Sequence, residues 1–340
     1  MAMVEIGGLL ANRYRIIKYL GGGMSRVYLA IDEVSMRKLA VKVVDKIGEK
    51  VLDKMPPIDH EKHGYGLADK DVQLEAIFRE ARLLKRLHRK GIANIVDLLD
   101  LEEEFIIITE FIEGQNLRTY AKEKAGIGVD QAINIMDQIA SILKDLHLGK
   151  PGLFFKDLKP SNIIVEKDGS CSLIDFGCAD MFGRTANRGL GSKGFAAPEQ
   201  FVDNGEVDEK SDIFALGRTM LYSLFPGVTF RTREDRFWLF YKNYGFKSLK
   251  RSYPFFKGII LGLKVKALAR LIYDCIGQDK DDRCQDMAYI QDELGKIRAL
   301  DERLRLKLRI YLDYILPAMA LLSLAGILFF GWRLMQFGGF

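Results

Sequence analysis

The sequence predicts an α+β fold, with a small β-rich lobe first and a larger helical lobe after it. Two observations carry this. Short runs of β-branched and aromatic residues are confined almost wholly to the first third of the 340-residue chain, and long helical patterns dominate the rest. A third observation adds one element: a charge-free stretch from Ile315 to Trp332 is long enough to cross a membrane.

YRIIKYL, VYLAID and LAVKVV, between residues 14 and 44, are separated by glycine or polar breaks and read as successive antiparallel strands. A polar stretch from Asp45 to Asp71 reads as a loop, longer than such a connection needs and open to use as a docking insert or a surface excursion. AIFREARLLKRL reads as a helix, and IVDLLDLEE and FIIITEFI as two further strands. The glycine of FIEGQNL marks the join between the lobes, and no internal repeat is present.

Composition excludes some classes of function. The 51 basic and 46 acidic residues leave a net charge of only +5, which points to no nucleic-acid partner. Cys171, Cys178, Cys275 and Cys284 form no CxxC pair and read as reduced, packed thiols. Histidines stand at 60, 63, 88 and 147, and no Ser-His-Asp arrangement suggests itself. His60 and His63 flank Glu61 in DHEKH, which reads as a solvated loop rather than a metal site.

MAMVEIGGLLANR carries neither a basic n-region nor a long apolar run, so no signal peptide is expected. Ile315 to Trp332 reads as a transmembrane helix: at about 1.5 Å per residue it spans about 27 Å, against a hydrocarbon thickness of about 30 Å. A buried helix of a soluble domain is the competing reading, but such helices rarely stay apolar all round. Arg303, Arg305, Lys307 and Arg309 precede the span and only Arg333 follows it. The charge bias puts the N-terminal bulk in the cytoplasm and makes the chain single-pass and tail-anchored in the cell membrane. RLRLKLR alternates with period two, yet it reads as a juxtamembrane helix (299–314) continuing from ELGKIRAL. Its cations would each add about 1 kcal/mol of attraction to anionic lipid. Ser323, Ala325 and Gly326 offer a small-residue face through which the anchor could form a homodimer.

Several constellations carry chemistry. In YLGGGMSRVYLA three consecutive glycines between two strands let backbone N–H groups face phosphate oxygens, although an ordinary glycine-rich hairpin has the same pattern. Lys42 stands inside an apolar strand, where a charge must snorkel or pair. Ile77, Glu80, Leu84 and Leu87 share one helical stripe, so Glu80 is the natural partner of Lys42, unless both merely snorkel. In FFKDLKPSNIIV, Asp157 can accept a proton from an attacking hydroxyl and Lys159 can neutralise a transferring phosphoryl group. Asn162 can hold a divalent cation, and Pro160 stiffens the turn. After a VEKDGSCS hairpin comes LIDFG, whose Asp175 can face Mg²⁺ from a strand end; alone, it is also an ordinary strand-ending turn.

Taken together, these residues resemble the eukaryotic-like (Hanks-type) serine/threonine protein kinases of bacteria, over about residues 14 to 295. The matching signatures stand in order: the glycine loop from Gly21 to Ser25, Lys42, Glu80, Asp157/Lys159/Asn162, Asp175-Phe176-Gly177 and Ala197-Pro198-Glu199. The resemblance implies a bilobal fold with an N-lobe of about 14–109 and a C-lobe of about 113–298. It implies ATP with Mg²⁺ (or Mn²⁺), protein hydroxyls as substrates, and autophosphorylation. The nucleotide would meet Gly21, Gly22, Gly23, Met24, Ser25, Val27, Ala40, Lys42 and Glu80, with adenine at the hinge from Glu110 to Ile112 behind Thr109. Asp157 and Lys159 would be catalytic, and Asn162 and Asp175 would hold metal. Asp212 would support the catalytic loop, Arg283 would pair with Glu199, and Ser192 would brace Asp157 and Lys159.

The chain departs from the family in places. The glycine loop is one residue short, with Ser25 where the third glycine usually falls. Phe155 replaces the usual His, a packing role that an aromatic ring can fill against Phe176. Lys156 replaces an Arg that grips an activation-loop phosphate, keeping the charge but losing the bidentate fork. Thr185, flanked by Arg184 and Arg188, is the expected phosphosite, with modest activation. Two other readings remain: a pseudokinase acting as a membrane scaffold, which should have lost at least one of Lys42, Asp157, Asn162 or Asp175, and a small-molecule phosphotransferase, which should lack the Ala197-Pro198-Glu199 segment.

Overall fold

The computed structural model describes residues 4–22, 25–45, 90–101, 103–149, 152–176, 180–181, 192–202, 206–227 and 255–337. Six strands form one antiparallel sheet in the order β1-β2-β3-β4-β6-β5. They are β1 (Leu9–Leu10), β2 (Tyr14–Gly21), β3 (Arg26–Asp32), β4 (Lys38–Asp45), β5 (Ile95–Asp100) and β6 (Glu104–Glu110). Each run read as a strand from the sequence contains one here, although those of IVDLLDLEE and FIIITEFI end at Asp100 and Glu110. Alternation sets the faces: Tyr28, Ala30, Val41, Val43, Ile106 and Ile108 pack on one side with Tyr14 and Ile16. In the register Val27 opposes Lys42 and Leu29 opposes Ala40, so Val27, Ala40 and Lys42 share the other side.

Past Glu110 the chain becomes mostly helical. A short β7 (Gly114–Asn116) leads into α1 (Leu117–Glu123) and α2 (Val129–His147). Asn116 caps α1, its side chain accepting from the Thr119 N–H at 2.9 Å, a bond that stabilises by about 1 kcal/mol. On α2, Val129, Ala132, Ile133, Met136, Ile139, Ala140 and Leu143 fall at helical spacing and are all buried, which makes this helix the axis of the larger core. Then follow β8 (Leu153–Phe154), β9 (Ile163–Glu166), β10 (Cys171–Leu173) and β11 (Asp180–Met181). Further helices among the described residues are α3 (Glu209–Leu224), α4 (Phe255–Cys275), α5 (Met287–Arg298) and α6 (Leu300–Ile310). At Gly217 of α3 a Cβ would lie 2.7 Å from the Cβ of Cys275, so only glycine lets α3 and α4 approach this closely.

Cys171, Cys275 and Cys284 are free and buried, as packed thiols should be. Burial pushes the Cys171 thiol up to about 12, which keeps it protonated and unreactive. After a single π-helical turn (Tyr311–Ile315) comes α7 (Leu316–Phe337). The window Asp313–Phe330 is long and apolar enough to cross a membrane, and none of it is buried against the rest of the protein. The basic stretch before it is helical (α6), as expected, with Arg303 and Arg309 exposed. The expected helix bearing Glu80, the 45–71 loop beyond Asp45 and Thr185 lie outside the described residues.

Candidate active site

The loop from Phe155 to Asn162 is built from below. Asp212, in the first turn of α3, is fully buried and its carboxylate takes two backbone donors, the N–H of Phe155 at 2.9 Å and of Lys156 at 2.8 Å. His147, at the end of α2, lies with Nε2 2.9 Å from the same carboxylate. A carboxylate only accepts, so that ring nitrogen carries the hydrogen. The expected support by Asp212 is thus present; the part played by His147 was not read from sequence, although its position eight residues before Phe155 was a usable signal. Lys156 holds a left-handed backbone, φ 67°, and Gln200 donates from Nε2 to its carbonyl at 2.9 Å. Gln200 is a second residue that sequence reasoning missed.

Phe155 and Phe176 meet edge to face with ring centroids 4.9 Å apart, and both are buried. Such a pair adds about 1 kcal/mol beyond the area it buries. The packing expected of Phe155 is therefore observed. Lys156 is buried as well, so its ammonium is not displayed to solvent as a free phosphate clamp.

Above this base the reactive groups converge. Lys159 Nζ lies 2.6 Å from Asp157 Oδ2 and donates to Ser192 Oγ at 2.7 Å. The Ser192 N–H donates to Asp157 Oδ1 at 3.1 Å. Asn162 Nδ2 donates to the Asp157 carbonyl at 3.0 Å. A carbonyl accepts only, so the amide orientation is fixed and Asn162 Oδ1 turns the other way. The 3-10 turn Pro160–Asn162 puts Asn162 there, and the Ile174 N–H donates to the Asn162 carbonyl at 2.9 Å. Asp175 is the next residue after Ile174, on a left-handed backbone with φ 69°. An amide oxygen and a carboxylate are hard oxygen donors, so the residues present fit a hard divalent cation.

The two lobes meet over this site. Lys42 Nζ donates to Asp175 Oδ1 at 2.8 Å, from the sheet face that also carries Val27 and Ala40. This contact was not foreseen, because sequence reasoning assigned Lys42 to Glu80, and Glu80 lies outside the described residues. Gly21 has φ 124°, and a Cβ at Gly22 would lie 1.8 Å from the Ser25 carbonyl oxygen, so the turn itself requires glycine at both. Gly23 and Met24 are outside the described residues, while Ser25 is half-buried next to them. At the hinge the N–H groups of Glu110 and Phe111 donate to the carbonyls of Asn94 (2.9 Å) and Lys38 (3.3 Å), and Ile112 follows.

A further ion pair locks the segment after Ser192. Arg283 donates to Glu199 through Nη1 at 2.7 Å and Nη2 at 2.8 Å, and the Ser211 hydroxyl donates to Glu199 at 2.5 Å. Burial pushes the Glu199 carboxyl upward, but these donors outweigh it and hold the group below the ordinary carboxylate range. The pairing expected between Arg283 and Glu199 is present.

A β-rich lobe meets a helical lobe here, with Lys42, Asp157, Lys159, Asn162 and Asp175 near their junction, and this architecture is of the protein kinase class. Comparison with known proteins agrees: residues 14–294 match the protein kinase domain. The chain is 31% identical over 231 residues to "Probable serine/threonine-protein kinase PknB" of Lactococcus lactis, covering 66% of this chain and 33% of that protein. It is 30% identical over 227 residues to "Serine/threonine-protein kinase PrkC" of Bacillus subtilis, covering 65% and 32%. To "Probable serine/threonine-protein kinase CA_C1728" of Clostridium acetobutylicum it is 29% identical over 299 residues, covering 86% and 41%. The chain belongs to the protein kinase family. It spans about a third of the length of the first two of these relatives.

Proposed function

We propose that the chain is an ATP-dependent serine/threonine protein kinase that transfers the γ-phosphoryl group to protein hydroxyls, its own included. One observation carries the reading: Asp157 is gripped from two sides by Lys159 and Ser192, Asn162 donates to its carbonyl, and Asp175 pairs with Lys42. Asp157 orients the substrate hydroxyl and takes its proton on a carboxylate oxygen as the oxygen attacks. Lys159, already against that carboxylate, offsets the charge that develops on the phosphoryl oxygens. Lys42 holds the nucleotide's phosphates, and its contact with Asp175 keeps it aimed at the metal end of the cleft. Val27 and Ala40 cover the adenine, and backbone groups from Glu110 to Ile112 read its edge. Asn162 and Asp175 would hold a magnesium ion, whose positive charge would offset that of the phosphates when bound. The protein supplies chiefly position and charge, which is most of what this reaction needs.

The kinase domain runs from 14 to 298, the basic segment from 299 to 314 and the membrane span from 315 to 332. The exposed apolar helix supports anchoring, and the basic residues before it support a cytoplasmic kinase domain. The test is incubation of the full chain, in detergent micelles, with Mg-ATP, beside Asp157→Asn. Phosphoserine or phosphothreonine in the wild type alone, mapped by mass spectrometry, is the expected result. Equal incorporation in Asp157→Asn would remove the assignment.

A further inference from the structure

The substrate hydroxyl must reach Asp157, and the chain leaving that point is Ser192 to Phe195. Ser192 touches both Asp157 and Lys159. Lys193 is exposed, and the Gly194 carbonyl accepts from Arg218 Nε at 2.8 Å. Phe195 meets Tyr222 edge to face, with ring centroids 5.7 Å apart. Over these two rings lies Arg118, from the first turn of α1, its guanidinium carbon 5.8 Å from the Phe195 centroid and 5.3 Å from that of Tyr222. Cations from three separate elements thus gather on one short rim beside the catalytic aspartate.

The chemistry of Arg118 points outward. A guanidinium held over ring faces keeps its N–H donors in its own plane, where they can meet a carboxylate in a fork. Among the described residues no carboxylate accepts a hydrogen bond from Arg118, whereas Arg13, Arg26 and Arg283 each have one. The rings also fix the side chain beforehand, which lowers the ordering cost when an anion arrives.

We propose that this rim selects protein substrates with an acidic residue close in sequence to the phosphoacceptor, and that Arg118 is the residue that sets the preference. The inference rests on the kinase reading and deepens it. A bracing role for Arg118, holding Phe195 and Tyr222 together and nothing more, is the competing account.

The experiment separates the two. The full chain in detergent micelles is given neutral peptides with one threonine, each carrying Glu, Ala or Lys at one neighbouring position. Both kcat/KM and binding, by fluorescence anisotropy with a non-hydrolysable ATP analogue present, are measured. Wild type should favour Glu over Ala by about five- to tenfold at one flanking position at least, the size of a charge contact at a half-exposed site, and disfavour Lys. Arg118→Ala should level Glu with Ala, Arg118→Glu should reverse the order toward Lys, and Arg118→Lys should keep a weaker Glu preference, since the charge stays and the fork is lost. No Glu preference in the wild type, or an equal loss on every peptide in Arg118→Ala and Arg118→Glu, overturns the proposal. Acid-selective binding without transfer would count against the kinase reading and for the rim, and transfer without selectivity would do the reverse.

Discussion

Asp212 is the residue on which the geometry of the catalytic loop most visibly depends, and its removal gives a quantitative test. Its carboxylate is fully buried and holds two buried N–H groups, those of Phe155 and Lys156, at 2.9 and 2.8 Å. Asp212→Ala leaves both donors without an acceptor in a site that water does not reach. At about 1–3 kcal/mol for each buried unsatisfied group, the expected loss is about 2–6 kcal/mol of stability. For a domain of this size that lowers Tm by roughly 4–12 °C. Asp212→Asn keeps one accepting oxygen but turns an NH₂ against an N–H donor, so about half of that loss is expected. Activity should fall further than stability does. Asp157 lies one residue past Lys156, and a shift of about 1 Å in a catalytic group can reduce the rate about a hundredfold. The assay is differential scanning calorimetry beside the steady-state rate of peptide phosphorylation, at temperatures where each variant stays folded. A destabilised Asp212→Ala with unchanged kcat would refute the argument, because it would mean that the loop is held in register by other contacts.

Replacing Arg283 by Ala should destabilise the domain by about 3 kcal/mol, since Arg283 is itself buried and its loss leaves the half-buried Glu199 carboxylate with only the Ser211 hydroxyl; thermal melts of Arg283→Ala beside Arg283→Lys measure it. Because the carboxyl of Glu199 is held below its ordinary value, the stability it contributes is present above about pH 4.3 and is lost as acid titrates it through the lower folded value. Melts taken from pH 7 downward should therefore show a smaller acid loss in Arg283→Ala than in wild type. Phe155→Ala should open a cavity under Phe176 and destabilise by about 3–5 kcal/mol, whereas Phe155→His should lower stability much less. A Phe155→His variant as unstable as Phe155→Ala would show that the ring's apolar character matters more than its shape.

Much of this was legible in the sequence, for physical reasons that differ by element. The strands of the first lobe announce themselves because Tyr28, Ala30, Val41, Val43, Ile106 and Ile108 must all face one core, which forces alternation. The loop around Asp157 was legible because Asp157, Lys159 and Asn162 stand at fixed offsets within one short segment. The supports from distant segments were harder to see. Asp212 and Arg283 were found only through resemblance, since a buried Asp at a helix start looks like any cap until its two backbone donors are known. Gln200 carries no sequence signal of its own, and His147 carries only its short spacing from Phe155; their roles arise where a 3-10 turn and a helix end meet the loop. The Lys42–Asp175 contact joins residues 133 positions apart across two lobes, and periodicity within either lobe is silent about it.

The central claim is that Asp157, held by Lys159 and Ser192, is the group that works on the substrate hydroxyl. Steady-state kinetics of the full chain with Mg-ATP and a threonine peptide, comparing wild type with Asp157→Asn, test it most directly. The account predicts that kcat falls by a factor of about 10²–10⁴, with the KM for ATP nearly unchanged because nucleotide contacts are made elsewhere. A variant that keeps the wild-type kcat, or one that loses only ATP affinity, would contradict it.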